Sequence, residues 1–421
     1  MVTARRVEER LQDTPIAVSA FSPDTLEKRQ IFDTDLLDQV TPNLQFTNVT
    51  TLAGNNASSV VFIRGIGQVD PTSSVDPGVG LYIDDVYMGQ SIGGSMTFRD
   101  IAGVQVLRGP QGTLFGKNTV GGAILLSTNE PGDEFGGNFR IGTGTDNLRD
   151  AFIAVNIPIS DQLKSRFTFG TRIQDGYVTR VQTGEDLGDT NTYTATGKIV
   201  WTPNDRFQAK AMFDYTRSDE NGNPFVFAAS NESATFQRVA SADAGCPGVV
   251  FPTSGPVPLI DDVRCANDFQ NKGPYKNNGT YPLKSEMENW GGSLHLTYDL
   301  NEAITLKSIT SYRSLDWIGI RDADNTPLTI LHTSYDSKGH QFSEEVQGLY
   351  SSGNWKGAVG FYYFEEKIND LVYVQLNDPA PGVQEDSDNN KTENSNWAIF
   401  TQWTYNVNDQ LSLTAEQLRK N

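Results

Sequence analysis

Phe207-Gln-Ala-Lys-Ala-Met-Phe-Asp-Tyr-Thr216 is the stretch whose reading decides the fold. One parity carries Phe207, Ala209, Ala211, Phe213 and Tyr215; the other carries Gln208, Lys210, Met212, Asp214 and Thr216. A period of two is a β-strand with one oily and one wet face. The alternation recurs in Leu294, Leu296, Tyr298 and Leu300 against His295, Thr297 and Asp299. It recurs again in Phe167, Phe169 and Ile173 against Arg166, Thr168 and Arg172. Two structures use such strands, a soluble sandwich and a membrane barrel. Sandwich strands run about 5–6 residues, and these run longer.

Outward from that stretch, the signs favour a barrel. Aromatic residues recur near segment ends, at Tyr177, Trp201, Tyr215, Trp290, Trp317, Tyr350 and Trp403, as in an interfacial girdle. Connections alternate in length. Those at Asn156–Gln162, Thr202–Arg206 and Asp299–Ala303 are short, whereas 217–288, 319–340 and 369–395 are long and polar. Outer-membrane barrels sort their loops in this way. Strands are expected near 135–144, 148–157, 163–180, 191–202, 206–217, 288–300, 303–318, 340–351, 355–367 and 395–407, with an eleventh beginning at Leu411. That is roughly half of the about 22 strands of a plugged barrel. The tail from Ala415 does not read as a closing strand.

Before Pro131-Gly132 the texture differs. Pro23–Arg29 and Asp33–Val40 read as short helices, with Ser22 and Asp33 as N-caps. Val60–Arg64, Gly80–Asp84, Gly103–Arg108 and Ala123–Thr128 are short apolar runs bounded by turn residues, and read as strands. The expected fold is an α+β plug-like domain followed by an incomplete antiparallel transmembrane β-barrel of about 10–11 strands. The expected divisions are a linker over 1–13, a compact domain over 14–130 and barrel over 131–421.

Composition excludes several classes. Lys plus Arg is 33 and Asp plus Glu 52, a net charge of −19, which opposes nucleic-acid binding. No run of 18 apolar residues exists, so no transmembrane helix is expected. Barrel strands need only about 9–11 residues and escape that search. The start, Met1-Val-Thr-Ala-Arg-Arg6, has no apolar core and no cleavage site. A signal peptide, required if the protein is exported, is therefore absent from this chain. Cys246 and Cys265 lie 19 apart. In an oxidising compartment they would close a loop worth roughly 3 kcal/mol; in a reducing one they would be two thiols.

Ile101–Ile124 contains a strand, a Gly/Pro-rich loop and a strand, with Gly109, Gly112, Gly116, Gly121 and Gly122 allowing tight turns. It is not a phosphate loop. Gly116-Lys117 has Gln111 where the first glycine belongs and Asn118 where Ser or Thr belongs. Gly65-Ile-Gly67 lacks the third glycine of a dinucleotide fingerprint, because position 70 is Asp70. Leu107-Arg-Gly-Pro-Gln-Gly-Thr-Leu-Phe-Gly-Lys-Asn-Thr-Val-Gly-Gly122 resembles the plug signature of TonB-dependent outer-membrane receptors. Phe62–Gly67, Gly78–Tyr87 and Leu11–Phe21 are similar to further parts of that plug.

The resemblance implies uptake of a scarce bulky nutrient across the outer membrane of a Gram-negative bacterium. A ferric siderophore is the leading cargo, with haem, cobalamin and glycans as alternatives. A non-transporting gene fragment is the other reading. It implies TonB with its inner-membrane energising complex, outer-membrane lipid and the iron-siderophore ligand as partners, and a monomer. Val2-Thr3-Ala4 resembles the end of a TonB box, which would pair by strand addition. Arg64, beside Gly65, and Arg108 resemble a latch to Glu345 in Gln341-Phe-Ser-Glu-Glu-Val346. Parity turns Glu345 inward if Val346 meets lipid. No catalytic constellation, cofactor or metal site is read. His295, His332 and His340 lack metal-ligand spacing, and Asp84-Asp85 reads as a turn cap.

Overall fold

The computed structural model describes residues 16–31, 33–50, 53–69, 72–73, 75–93, 100–228, 273–378, 382–408 and 410–420. Val2, Thr3, Ala4, Cys246 and Cys265 lie outside them.

The first domain holds strands β1 (Ala17–Phe21), β2 (Leu44–Thr47), β3 (Val60–Ile63), β4 (Ile66–Gly67), β5 (Val79–Ile83), β6 (Val86–Met88), β7 (Ile101–Arg108) and β8 (Gly122–Thr128). Five form a mixed sheet in the order β1-β7-β8-β5-β6, in which only β5–β8 is parallel. The others form a small β2-β3-β4 sheet. Helix α1 (Pro23–Lys28) is capped by Ser22, whose Oγ accepts from Thr25 N at 3.3 Å. The stretch expected as a second helix is a 3-10 helix, Thr34–Gln39, without a side-chain cap.

The apolar runs are continuous because both faces of the sheet are buried. Leu81, Ile83, Val104, Val106, Ile124 and Leu126 pack with Leu26, Leu37 and Phe46. The alternate residues Tyr82, Leu107 and Leu125 pack with Phe115, from helix α2 (Gly112–Phe115), and with Phe364 from the second domain. Gly122, at φ 152°, joins β7 and β5 through β8; a Cβ there would lie 2.1 Å from Leu107 O.

The second domain is a sheet of eleven strands, each antiparallel to its neighbours. They are β9 (Gly136–Thr143), β10 (Arg149–Ser160), β11 (Leu163–Gln174), β14 (Thr190–Asn204), β15 (Phe207–Glu220), β17 (Lys284–Asn301), β18 (Ile304–Asp322), β19 (Leu331–Ser352), β20 (Trp355–Asp378), β21 (Gly382–Asn408) and β22 (Leu411–Lys420). Between them, β12 (Val178–Arg180), β13 (Asp186–Leu187) and β16 (Lys276–Asn277) form a small sheet at the loop end.

Burial follows the expected parity. Val346 is 46% exposed and Glu345 4%; Leu294 is 41% exposed and His295 9%. The oily face points away from the first domain. Trp290 and Tyr312, 5.6 Å apart, mark one border of its apolar band, and Trp201 with Phe207, 5.9 Å apart, the other. From Trp290 to Tyr298, which pairs with Phe207, is eight residues, about 26 Å of strand. A tilted strand of that length fits a hydrocarbon core. Glu344 is an exception on this face, held by the hydroxyls of Ser308 and Thr310.

Several expectations are corrected. The segments 319–340 and 369–395 are not loops: β18 and β19 stay paired to Asp322↔His332, and β20 and β21 to Asp378↔Gly382. Many of their residues are polar and the apolar run Leu371-Val-Tyr-Val374 does not alternate, so neither segment shows the oily period of two. Residues 163–180 are not one strand, because β11 ends at Gln174 and β12 turns into the small sheet. The tail from Ala415 does continue as strand in β22, but β22 pairs with β21 alone and, as expected, does not close the sheet onto β9. Trp317 is not a girdle residue. It is 4% exposed and packs inward with Ile92 and Ala53.

Candidate functional site

The site is the contact between the first domain and the inner face of the sheet, with the loop end above it. Turns 161–162, 205–206, 302–303 and 353–354 are all tight and lie at one end, while the described segments 175–189, 221–228, 273–283 and 323–330 lie at the other. The wall facing the plug is polar, because alternate residues of each strand turn inward.

Its strongest link is a buried ion pair. Arg166 on β11 donates through Nε (2.7 Å) and Nη2 (2.6 Å) to the two oxygens of Asp100, and through Nη1 to Asn156 Oδ1 at 2.9 Å. This two-pronged geometry fixes orientation as well as charge. Lys198 on β14 donates to Thr128 O at 3.3 Å and to Glu130 at 3.2 Å, and Lys210 on β15 donates to the same carboxylate at 3.0 Å. Burial pushes the Glu130 carboxyl up, but Lys210 and Lys198 together bring it below its ordinary 4.5. Asp84 stands 3.7 Å from Lys198 Nζ. It accepts from Thr128 N at 2.9 Å and Thr128 Oγ1 at 2.6 Å. It thus ties the β5–β6 turn to the end of β8 rather than capping its own turn, and burial holds its carboxyl above the usual range despite Lys198 and Thr128.

A second link holds backbone. Gln341 on β19 donates through Nε2 to Tyr87 O at 2.7 Å and accepts from Gly89 N at 2.9 Å, gripping the end of β6. A Cβ at Gly89 would lie 2.6 Å from Glu366 Oε1 and 2.9 Å from both Gln341 Oε1 and Phe364, so those side-chain ends would have to shift. Tyr87 meets Phe364 edge-on at 5.6 Å. Burial pushes the Tyr87 hydroxyl well above its ordinary range.

Between these links and the loop end lies a cavity of about 370 Å³, lined among others by Asp35, Asn56, Arg172, Asp214, Glu220 and Arg313. Arg313 and Asp214 form their own two-pronged pair on the wall, at 2.8 and 2.6 Å.

The residues read from sequence as a latch have other neighbours. Arg64 and Gly65, at φ 54° and 78°, are the two central residues of the β3–β4 hairpin, which demands positive φ at both. Arg64 is exposed there, with a guanidinium nitrogen over Gly109. Arg108 Nη1 reaches Pro42 O at 3.5 Å. Glu345 is buried on the inner face and accepts from Gln347 Nε2. The signature glycines Gly109 and Gly116 have positive φ, Gly112 opens α2, and a Cβ on Gly121 would lie 3.0 Å from Ile66 O. Gln341 opens the same Gln341–Val346 motif as Glu345 and faces inward with it. The shared inward parity of 341, 343 and 345 was the available signal. Nothing in the sequence pointed to Asp100–Arg166.

A small domain wedged against the polar inner face of an antiparallel barrel wall defines a plugged barrel. Residues 10–123 match the family model of the TonB-dependent Receptor Plug Domain. The pesticin receptor of Yersinia pestis is 30% identical over 210 residues, 49% of this chain and 30% of that receptor. The ferrioxamine B receptor of Salmonella typhimurium is 23% identical over 394 residues, 89% of this chain and 50% of that receptor. Among solved structures, the ferric yersiniabactin uptake receptor FyuA of Yersinia pestis superposes with a TM-score of 0.73 at 17% identity, over 96% of this chain and 60% of that one. The chain thus spans half or less of these curated relatives. It carries the plug domain of the TonB-dependent receptors and has their plug-and-barrel fold.

Proposed function

We propose that this chain is the plug-bearing part of an outer-membrane receptor that imports a ferric siderophore by TonB-coupled movement of the plug. The observation that carries the reading is the plug's mode of attachment. Its contacts to the wall combine two apolar seams, at Phe364 and at Trp317, with discrete polar links at Asp100, Glu130 and Gly89. The polar links can break and reform in a wet lumen. The likeness to siderophore receptors supports the cargo class.

In this reading Val2-Thr3-Ala4 would add as a strand to TonB. Arg64 and Arg108 would engage Glu345 only in another plug position. Cys246 and Cys265, in an oxidising compartment, would form a disulfide. Intact mass after alkylation without reductant should show no added label; two labels would remove that bond from the account.

The test of function is iron uptake. Cells whose sole siderophore receptor is the full-length form of this protein should accumulate a ferric siderophore only while the proton-motive force is intact. Deleting 60–122 should replace that uptake with passive leak. Energy-dependent uptake that survives the deletion would overturn the assignment of the plug. Uptake of cobalamin or haem in place of every ferric siderophore would overturn the cargo.

A further inference from the structure

We infer that Asp322, Asp324 and His332 form a binding site for a divalent transition-metal cation, which staples the outer ends of β18 and β19 around the segment 323–330. The proposal does not rest on the cargo or on transport.

The three residues converge from two strands and one turn. His332 Nε2 lies 3.6 Å from Asp324 Oδ2 and 3.9 Å from Asp322 Oδ1, and the three potential ligand atoms all lie within 4.8 Å of one another. Atoms that bind one zinc ion at about 2.0–2.2 Å are held up to about 4 Å apart. The imidazole is the independent sign of a ligand. It is 5% exposed, and its Nε2 has no hydrogen-bond partner among the described residues. Its Nδ1 lies 2.9 Å from Gln375 Oε1. Its Nε2 faces the two carboxylates. A direct charge-assisted bond would draw one of them to about 2.8 Å, but both stand off at a distance that leaves room for an ion.

The surroundings resemble the support that metal ligands receive. Tyr281 stacks on the imidazole at 4.1 Å and sets its plane. Asp322 Oδ1 accepts only from Asn325 N at 2.9 Å, while its Oδ2 is taken by Thr280 N and Tyr281 N. Asp324 is fixed by Thr326, Ile330 N and Leu331 N. Arg180 approaches Asp322 Oδ2, the oxygen away from the histidine, at 3.6 Å, and is itself matched by Glu185 at 2.8 Å. The pocket therefore holds two carboxylates with an excess of negative charge that a dication would neutralise. One imidazole with two carboxylates suits zinc, manganese or iron(II). Calcium and magnesium prefer oxygen alone.

The experiment uses the full chain in detergent, stripped with chelator and titrated with zinc chloride. We expect one zinc equivalent, undiminished by excess calcium, and zinc-dependent protection of the 323–330 amides from exchange. His332→Gln should weaken binding by about tenfold or more, the size of effect that even supporting residues have on metal affinity. His332→Cys, loaded with cobalt(II), should give a thiolate-to-cobalt charge-transfer band, which a merely structural histidine would not produce. Equal zinc binding by wild type and His332→Gln would overturn the proposal. So would absence of the band, or zinc that leaves the exchange of 323–330 unchanged.

Discussion

Gly89 shows how a single hydrogen atom in place of a side chain joins two domains. Its N–H is donated to Gln341, and the space a methyl would need is already held by Glu366, Gln341 and Phe364. Gly89→Ala is therefore expected to push β6 off the wall, at about 1–3 kcal/mol, the usual cost of forcing a group into packed space. The readout is faster leak of a large antibiotic into cells. Leak at the wild-type rate would show that the wall yields there. Arg64 teaches the converse lesson. A basic residue beside a glycine suggests an ion pair, but its positive φ shows that the hairpin claims it first.

At the scale of elements, the join between β8 and β9 is electrostatic. Glu130 receives Lys198 and Lys210 from two barrel strands. Because its carboxyl is held below 4.5, its contribution is present above that value and fades as pH falls through the lower, folded-state one. Wild type should thus melt above Glu130→Gln at neutral pH, and the difference should shrink as the pH falls below 4.5. The gap is expected to be small, since the carboxylate is half exposed and water screens it. A gap that widens in acid would invert the assignment. The elements also show where reading stops. Each membrane-crossing part of a barrel strand was legible because lipid and lumen enforce alternation. The outer extensions of β18 to β21 were not, because their buried positions are often polar, as at Asp322, His332 and Ser337, while Leu371-Val-Tyr-Val374 is apolar at successive positions, so no oily period marks them.

For the whole molecule, the direction in which the sheet faces is the controlling fact. Leu294 sits midway along the apolar band, between Trp290 and Tyr298 on the same outer face. Leu294→Arg should cost about 2–4 kcal/mol on insertion into bilayers, as for a cation at the midplane of a barrel. The yield of heat-modifiable protein refolded into vesicles measures this. An undiminished yield would mean that Leu294 does not meet hydrocarbon. The plug occupies the opposite side of the same sheet, where Arg166, Lys198 and Gln341 receive it.

The sequence by itself determined the two textures, the inward turn of Glu345 against Val346 and the glycine-built plug signature. Each of these depends on local chain geometry or on which solvent a face meets, and both leave a periodic trace. Only the tertiary structure decided that Asp100 meets Arg166, that Gln341 grips β6, and that Asp322, Asp324 and His332 converge. Those pairings join residues whose separation along the chain has no fixed period, so they exist only once the strands are in register and the plug is seated among them.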